Sequence, residues 1–259
     1  MSRTAILIAR AMAVALLSTA AMAQIPTPNE PDSDVFASTR EALSDAADRS
    51  LATAFSQQSW MKGSEARTGK HDNRAASSTP VRRVQAAVER VNRLRPAIEP
   101  ILREEGVPTQ LSAVVLVESG GLAAALSPKG ARGVWQFMPD TARRYGLVVQ
   151  GLRDERVDVE KSTHAAARYL RDLYIEFGDW SLALAAYNAG EPTLQGALER
   201  SGTREFAAIS VKGLLPLETR NYVPAVLAAM NTLHRHDTLT LTQRENSARR
   251  MVYASSGSE

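Results

Sequence analysis

The chain has 259 residues, of which 44% are apolar and 23% charged, enough for one sizeable globular domain with flanking segments. It contains no cysteine, which excludes disulfide bonds, thiolate metal sites, a cysteine nucleophile and a lipid-modified N-terminal cysteine. The formal net charge is +3 and the arginines are scattered among acids, so no nucleic-acid partner is predicted.

Residues 1–23 have the pattern of a secretory signal peptide. Arg3 and Arg10 flank a short apolar run, and Ala21–Ala23 gives the small-x-small pattern of a cleavage site. We expect cleavage after Ala23, which lowers the formal charge from +3 to +1, and export to the periplasm of a Gram-negative source. The alternative is that this segment stays attached as a membrane anchor.

Composition divides the rest of the chain into three parts. Residues 24–79 are rich in Pro, Ser, Ala, Asp and Thr, and we expect a flexible, mostly disordered leader. Residues 80–235 carry helical patterns and are predicted to form one folded domain. Residues 236–259 are polar and are predicted to form a short tail, disordered from Ala254 onward.

Apolar residues recur at spacings of three and four through the predicted domain, and no segment alternates convincingly with period two, so the predicted fold class is all-α. Gly106, Gly146 and Gly178 are read as helix stops. The predicted helices run from Val81 to near Pro96, over Ile98–Glu105, from Pro139 to Tyr145, over Val159–Phe177, over Trp180–Tyr187 and from about Glu218 to Leu233.

One acidic residue, Glu118, closes the apolar segment that begins at Gln110. The β-branched run before it suits a buried strand or a buried helix, but its neighbours are helical, so we expect a buried helix with Glu118 in the last turn. Lost hydration would raise the pKa of this carboxyl and favour the neutral acid that general acid catalysis requires. The alternative is that Glu118 ends a core element and points at solvent.

Polar residues among apolar or glycine neighbours form four short motifs: Glu118–Gly120, Gly133–Gln136, Ala186–Gly190 and Glu218–Tyr222. Each alone has a structural explanation, such as a satisfied core amide, a helix C-cap or a solvated helix start. In this order, however, they resemble the lytic transglycosylases with a goose-type lysozyme-like domain, the soluble lytic transglycosylase group, and most of all its membrane-bound D-like branch.

The resemblance runs from about Val81 to Leu233 and includes Trp135–Pro139 and Tyr187–Gly190. It implies a lysozyme-like helical domain, peptidoglycan glycan strands as the substrate, no cofactor and no metal. Matching positions imply that Glu118 is the catalytic acid, that Ser119 helps to position it, that Gln136 contacts the sugar acetamido region, that Tyr187 and Asn188 line the cleft, and that Glu218 and Tyr222 form a late motif whose tyrosine lies close to the acid.

Two positions depart from the family pattern. Arg132 stands before Gly133 where relatives often carry a small residue, and Leu122 stands where an aromatic residue is common. Neither change removes the acid, so we expect an effect on subsite preference alone.

The carboxylates and histidines bear on the type of reaction. Glu118 has an apolar setting, whereas Asp140, Asp154 and Asp158 lie in polar loops and are read as caps or solvated groups. The resemblance therefore implies a lyase-type cleavage in which one glutamate acts as acid and then as base. Two alternatives stay open: a lysozyme-like hydrolase with a second carboxylate, and a non-catalytic wall-binding or assembly factor. The histidines at positions 71, 164, 234 and 236 show no ligand-like setting.

Overall fold

The computed structural model describes residues 80–256, and the side chains from Arg82 to Ser247 except that of Arg244. The predicted signal peptide at 1–23, its cleavage after Ala23 and the predicted leader at 24–79 lie outside the described residues and stay predictions.

The described part of the chain is mostly helical, which confirms the all-α class. Its one small sheet is an antiparallel pair, β1 (Val149–Gln150) and β2 (Arg153–Asp154), in which Val149 pairs with Asp154. The helices are α1 (Pro80–Glu104), α2 (Ala113–Ser119), α3 (Pro139–Arg144), α4 (Val159–Phe177), α5 (Trp180–Ala189), α6 (Glu191–Ser201), α7 (Phe206–Val211) and α8 (Leu217–Ser256), with 3-10 turns at Thr109–Ser112 and Glu155–Val157.

The short helix α2 lies at the centre of the core. Every side chain from Ala113 to Val117 is fully buried, and α2 packs against α1 and α8. Three of these residues are valines, which have low intrinsic helix propensity, and an isolated helix of seven residues is not stable. Packing therefore holds α2 in place, since each buried Val or Leu side chain contributes about 1.5–3 kcal/mol.

Helix α1 is longer than predicted, because it continues through Pro96 and Pro100 to Glu104. The expectation of a break near Pro96 is wrong. Both prolines lie on the exposed face, whereas Ile98 and Leu102 are buried on the opposite face. Burial on that face outweighs the backbone hydrogen bonds that proline removes.

Helix α8 is also longer than predicted, because the polar segment after Leu233 is helical as far as Ser256. The expected disorder from Ala254 is therefore wrong for residues 254–256. Loss of the apolar pattern marks the end of packing, but this segment contains no glycine or proline to end a helix. Asp237 fixes the start of the segment by accepting two hydrogen bonds from Arg95 Nη1, at 2.7 and 2.8 Å. Within residues 80–256, no helix is both long and apolar enough to cross a bilayer.

Candidate active site

Glu118 lies in the last turn of α2, next to the fully buried stretch that ends at Val117. The helix ends at Gly120, whose φ of 58° requires the left-handed conformation that glycine adopts without strain. Arg90 Nε donates a hydrogen bond to the Gly120 carbonyl at 2.8 Å. The end of the core helix is thus held in place, and the Glu118 side chain is partly exposed there.

The environment of Glu118 favours its neutral form. Burial raises the pKa of Glu118 from 4.5 to about 7, against a hydrogen bond from Tyr222 that lowers it, and the negative charge of Glu218 raises it further. Tyr222 Oη donates to Glu118 Oε1 at 2.6 Å, and these residues are 104 positions apart in the chain. A carboxyl with this pKa is available in both protonation states near neutral pH, so it can donate a proton and then accept one.

Two tyrosines from different helices flank the acid. Tyr222 of α8 is buried, and Tyr187 at the end of α5 donates from Oη to the Trp135 carbonyl at 2.8 Å. Burial and the nearby Glu118 charge raise the pKa of both phenols well above 10, so both remain protonated donors. Trp135 is itself fixed, because its Nε1 donates to Thr163 Oγ1 at 2.9 Å in the core.

Ser119 lies behind the acid. It is fully buried, its Oγ donates to the Val134 carbonyl at 2.9 Å, and it accepts from the Gly121 amide at 3.2 Å. These contacts join the turn that follows Glu118 to the loop that carries Gln136. The geometry therefore fits the expected positioning of the acid, and not a direct contact with a ligand.

Gln136 has an unusual backbone conformation, with a φ of 50° that non-glycine residues rarely adopt. Its Nε2 donates to the Gly133 carbonyl at 2.8 Å and to the Ala125 carbonyl at 3.3 Å. A side-chain amide has two N–H donors, and here both are directed at backbone carbonyls. Its amide oxygen is the atom available to a ligand.

The side-chain amide of Asn188 is oriented in the opposite way to that of Gln136. Thr219 Oγ1, which is buried, donates to Asn188 Oδ1 at 2.8 Å. The amide oxygen is therefore occupied and the Nδ2 group is available as a donor. Thr219 was not singled out from the sequence, although its place beside Glu218, three residues before Tyr222 on a predicted helix, is a signal that could have identified it.

Glu218 has an exposed side chain. Its Oε2 lies 3.9 Å from Lys129 Nζ, a weak surface pair. Its influence on Glu118 is electrostatic.

The three aspartates behave as expected: Asp140 pairs with Arg143 at 2.8 Å, Asp158 caps α4 at the Lys161 amide, and Asp154 caps a 3-10 turn.

Two further aromatic rings, tilted relative to one another, extend from Tyr187. Its ring centroid is 5.2 Å from that of Tyr169, which is 5.0 Å from that of Tyr145. A cavity of about 370 Å³ lies beside Tyr145, and its other lining residues are Arg144, Asp172, Leu173, Glu176 and Glu191. Glu118 does not line this cavity.

In the part of the chain that is described, no group of three His, Asp or Glu side chains is arranged to hold a metal ion.

Comparison with known proteins identifies the domain. Residues 95–210 match the family model described as the Transglycosylase SLT domain. This stretch is a transglycosylase SLT domain. It contains Glu118, Ser119, Gln136 and the Tyr187–Asn188 pair, and it ends before Glu218 and Tyr222, which α8 adds to the SLT domain in the folded chain.

The proteins similar to this chain include two curated relatives and one solved structure. Membrane-bound lytic murein transglycosylase D of Escherichia coli (strain K12) is 37% identical over 133 residues, which cover 51% of this chain and 29% of that protein. A putative tributyltin chloride resistance protein of Alteromonas sp. (strain M-1) is 37% identical over 91 residues, 35% of this chain and 44% of that protein. The complex of the 70-kDa soluble lytic transglycosylase with bulgecin A matches with a TM-score of 0.51 at 22% identity, over 62% of this chain and 31% of that chain.

The structural match confirms the lysozyme-like helical fold of the SLT domain. At that identity it shows the fold alone. The chain spans less than half the length of each of these three proteins, so the matches describe the SLT domain and not the whole of any relative.

Proposed function

We propose that this protein is a peptidoglycan lytic transglycosylase. Its substrate is the β-1,4 bond between N-acetylmuramic acid and N-acetylglucosamine, and its product ends are 1,6-anhydromuramic acid. The names of the relatives and the SLT domain support the substrate class. The observation that carries the chemistry is the state of Glu118, a carboxyl at the end of a buried helix with a pKa of about 7 and a tyrosine donor at 2.6 Å.

The cleavage step uses Glu118 as an acid. The carboxyl gives its proton to the glycosidic oxygen, the bond from the muramyl anomeric carbon to that oxygen breaks, and the electron pair stays on the leaving N-acetylglucosamine hydroxyl. The anomeric centre becomes oxocarbenium-like, and the carbonyl of the muramyl acetamido group stabilises it. Tyr222 donates to Glu118 Oε1 and so stabilises the carboxylate that forms.

The second step uses the same residue as a base. The Glu118 carboxylate takes the proton of the muramyl 6-hydroxyl, and that oxygen bonds to the anomeric carbon and closes the anhydro ring. Glu118 regains its proton, and no water is consumed. Glu118 can act first as the acid and then as the base, because a pKa of about 7 makes its protonated and ionised forms nearly equal in population at neutral pH.

The two oriented amides bind the N-acetyl groups of the sugar chain. Gln136 offers an amide oxygen, which accepts from an acetamido N–H, and Asn188 offers an Nδ2 donor to a sugar oxygen. Tyr187 holds the Trp135 carbonyl and borders the same region, and Glu218 stands at its rim. Groups held this way orient the sugar without reorganisation during reaction.

Product analysis on purified peptidoglycan tests the proposal. Wild-type protein releases muropeptides with anhydro ends, which are lighter by one water than reducing ends, whereas Glu118→Gln keeps its fold and loses release by about 10²-fold or more. Asp140→Asn, which changes an exposed surface carboxylate, is the matched control and retains activity. Wild-type release rates in Glu118→Gln would remove Glu118 from the mechanism.

The same experiment separates the other two functions. A lysozyme-like hydrolase gives reducing ends. The second carboxylate to examine in that case is Glu218, because its negative charge raises the pKa of Glu118. A non-catalytic wall-binding factor binds glycan strands without cutting them. Either result with wild-type protein would replace the lyase assignment.

We also propose that the protein is exported to the periplasm. Arg3, Arg10 and the small residues of Ala21–Ala23 support cleavage after Ala23, and the curated relatives include a membrane-bound murein enzyme. N-terminal sequencing of the protein from whole cells would read Gln24 as the first residue, and a retained Met1 would favour the anchor.

A further inference from the structure

The loop that carries Gln136, residues 130–137, is fastened at two of its backbone carbonyls by one buried guanidinium. Arg156 is 6% exposed, and its Nη1 donates to the Gly130 carbonyl at 2.8 Å and to the Phe137 carbonyl at 2.9 Å. These carbonyls lie at the two ends of the loop, so one side chain joins both ends.

Asp154 fixes the guanidinium in its own plane. Arg156 Nε donates to Asp154 Oδ1 at 2.9 Å and Nη2 donates to Oδ2 at 2.8 Å, the two-pronged geometry of an arginine–carboxylate pair. Arg132, which belongs to the loop, donates from Nη1 to the same Oδ2 at 3.1 Å. The hydrogen bonds from Arg156 lower the pKa of Asp154, so the carboxylate stays ionised.

The loop backbone also lies directly against Arg156. A Cβ placed on Gly133, whose φ is 85°, would be 1.8 Å from the Arg156 carbonyl oxygen. Gly133 in turn supplies the carbonyl that receives the Gln136 amide at 2.8 Å. The direction of the Gln136 amide oxygen therefore depends on where the loop is held.

We propose that Arg156, clamped by Asp154, is a positioning residue that aims Gln136 at the acetamido group of the substrate. The assignment rests on the function proposed above. It explains residues 153–158, which the sequence presents as a charged, solvated loop, as the support of the Gln136 loop. It also explains Arg132, a departure from the family pattern, as a second cation that binds Asp154. Lysine cannot replace Arg156, because an ammonium lacks the planar set of donors that reaches both carboxylate oxygens and both carbonyls together.

Coupling between Arg156 and Gln136 is the test. Initial rates on soluble glycan strands of defined length are measured for wild type, Gln136→Ala, Arg156→Lys and the double variant. Gln136→Ala lowers kcat/KM by about ten-fold, and Arg156→Lys lowers it by about five- to ten-fold, mainly through KM. The double variant is no slower than Gln136→Ala alone, because Arg156 acts through Gln136.

The control is Arg171→Met. Arg171 Nη1 also binds a carboxylate and a backbone carbonyl, both of Glu105, at 3.0 and 3.1 Å, away from the loop. Its substitution lowers thermal stability and leaves kcat/KM unchanged, both alone and in the Gln136→Ala background, so a loss of stability does not by itself lower the rate. If the Arg156→Lys and Gln136→Ala effects multiply instead, Arg156 acts on the rate independently of Gln136 and the proposal is overturned.

Two further arms make every outcome decisive. Asp154→Asn keeps the side-chain shape, and it replaces Arg156→Lys in the experiment if Arg156→Lys does not unfold cooperatively. If neither variant unfolds cooperatively, Arg156 is needed for folding and the positioning role is refuted. Cleavage is counted as all new chain ends, so reducing ends from the wild type would refute the lyase chemistry without affecting the coupling. If the wild type does not cleave, the same cycle is read in the Kd for glycan strands.

Discussion

Replacing Tyr222 with phenylalanine removes the hydroxyl that donates to Glu118 Oε1 at 2.6 Å and changes little else in a buried position. This hydrogen bond favours the carboxylate, so it holds the pKa of Glu118 below the value that burial alone would set. Without it the pKa rises. The fraction of Glu118 that is protonated must therefore extend to higher pH in Tyr222→Phe.

The size of the change follows from the type of bond. A hydrogen bond to a charged group contributes about 1.5–3 kcal/mol, and one pKa unit corresponds to about 1.4 kcal/mol. Glu118 is partly exposed, and water replaces part of the lost interaction, so we expect the lower end of this range. The pKa of about 7 then becomes about 8, and the protonated fraction at pH 7 rises from about one half to about nine tenths.

The measurement is kcat/KM for release of soluble muropeptides between about pH 5 and pH 9. The descending limb of the wild-type profile has its midpoint near the pKa of Glu118 in the free enzyme, and in Tyr222→Phe this midpoint moves to higher pH whatever happens to the maximal rate. Tyr145→Phe is the matched control, because Tyr145 donates to Asp172 at 3.0 Å and does not contact Glu118. A midpoint that stays fixed or moves to lower pH would refute this account of the acid.

Three further changes have defined outcomes. Glu218→Gln removes a negative charge that raises the pKa of Glu118, so the same midpoint moves to lower pH, by a few tenths of a unit for a solvent-screened pair; an upward move contradicts this. Between about pH 4.5 and 7 the unfolded chain releases the Glu118 proton while the folded chain retains it, so the free energy of unfolding falls as pH rises. Glu118→Gln is therefore more stable than wild type at pH 8, by at most about 3 kcal/mol, and equally stable near pH 4. Thermal melts at the two pH values measure this difference. Gly133→Ala places a Cβ 1.8 Å from the Arg156 carbonyl and forces a left-handed residue, so denaturant unfolding should show a loss of about 3 kcal/mol; Gly130→Ala, with φ 89° but nothing within 4 Å, isolates the strain from the clash.

Local signals in the sequence determined some helices well. The bounds of α4 agree with the prediction, Val159–Phe177, because Asp158 caps its first turn and Gly178, with a φ of 72°, ends it. Both signals act within a few residues and do not depend on packing. The predicted ends of α1 and α8 are wrong for the opposite reason. Helix α1 continues past Pro96 because its prolines lie on the exposed face, and α8 continues past Leu233, where Arg95 contacts Asp237.

The sequence by itself determined the all-α class, the order of the four motifs and the apolar setting that makes Glu118 an unusual acid, because these depend on neighbours along the chain. The tertiary structure decided which motifs meet. It brings Tyr222 to Glu118 across 104 positions, buries Ser119 behind the acid, and leaves Glu218 exposed. It also shows Arg156 buried inside a run of charges that reads as solvated, since burial of a charged side chain depends on long-range packing and on its partners, which no local pattern records.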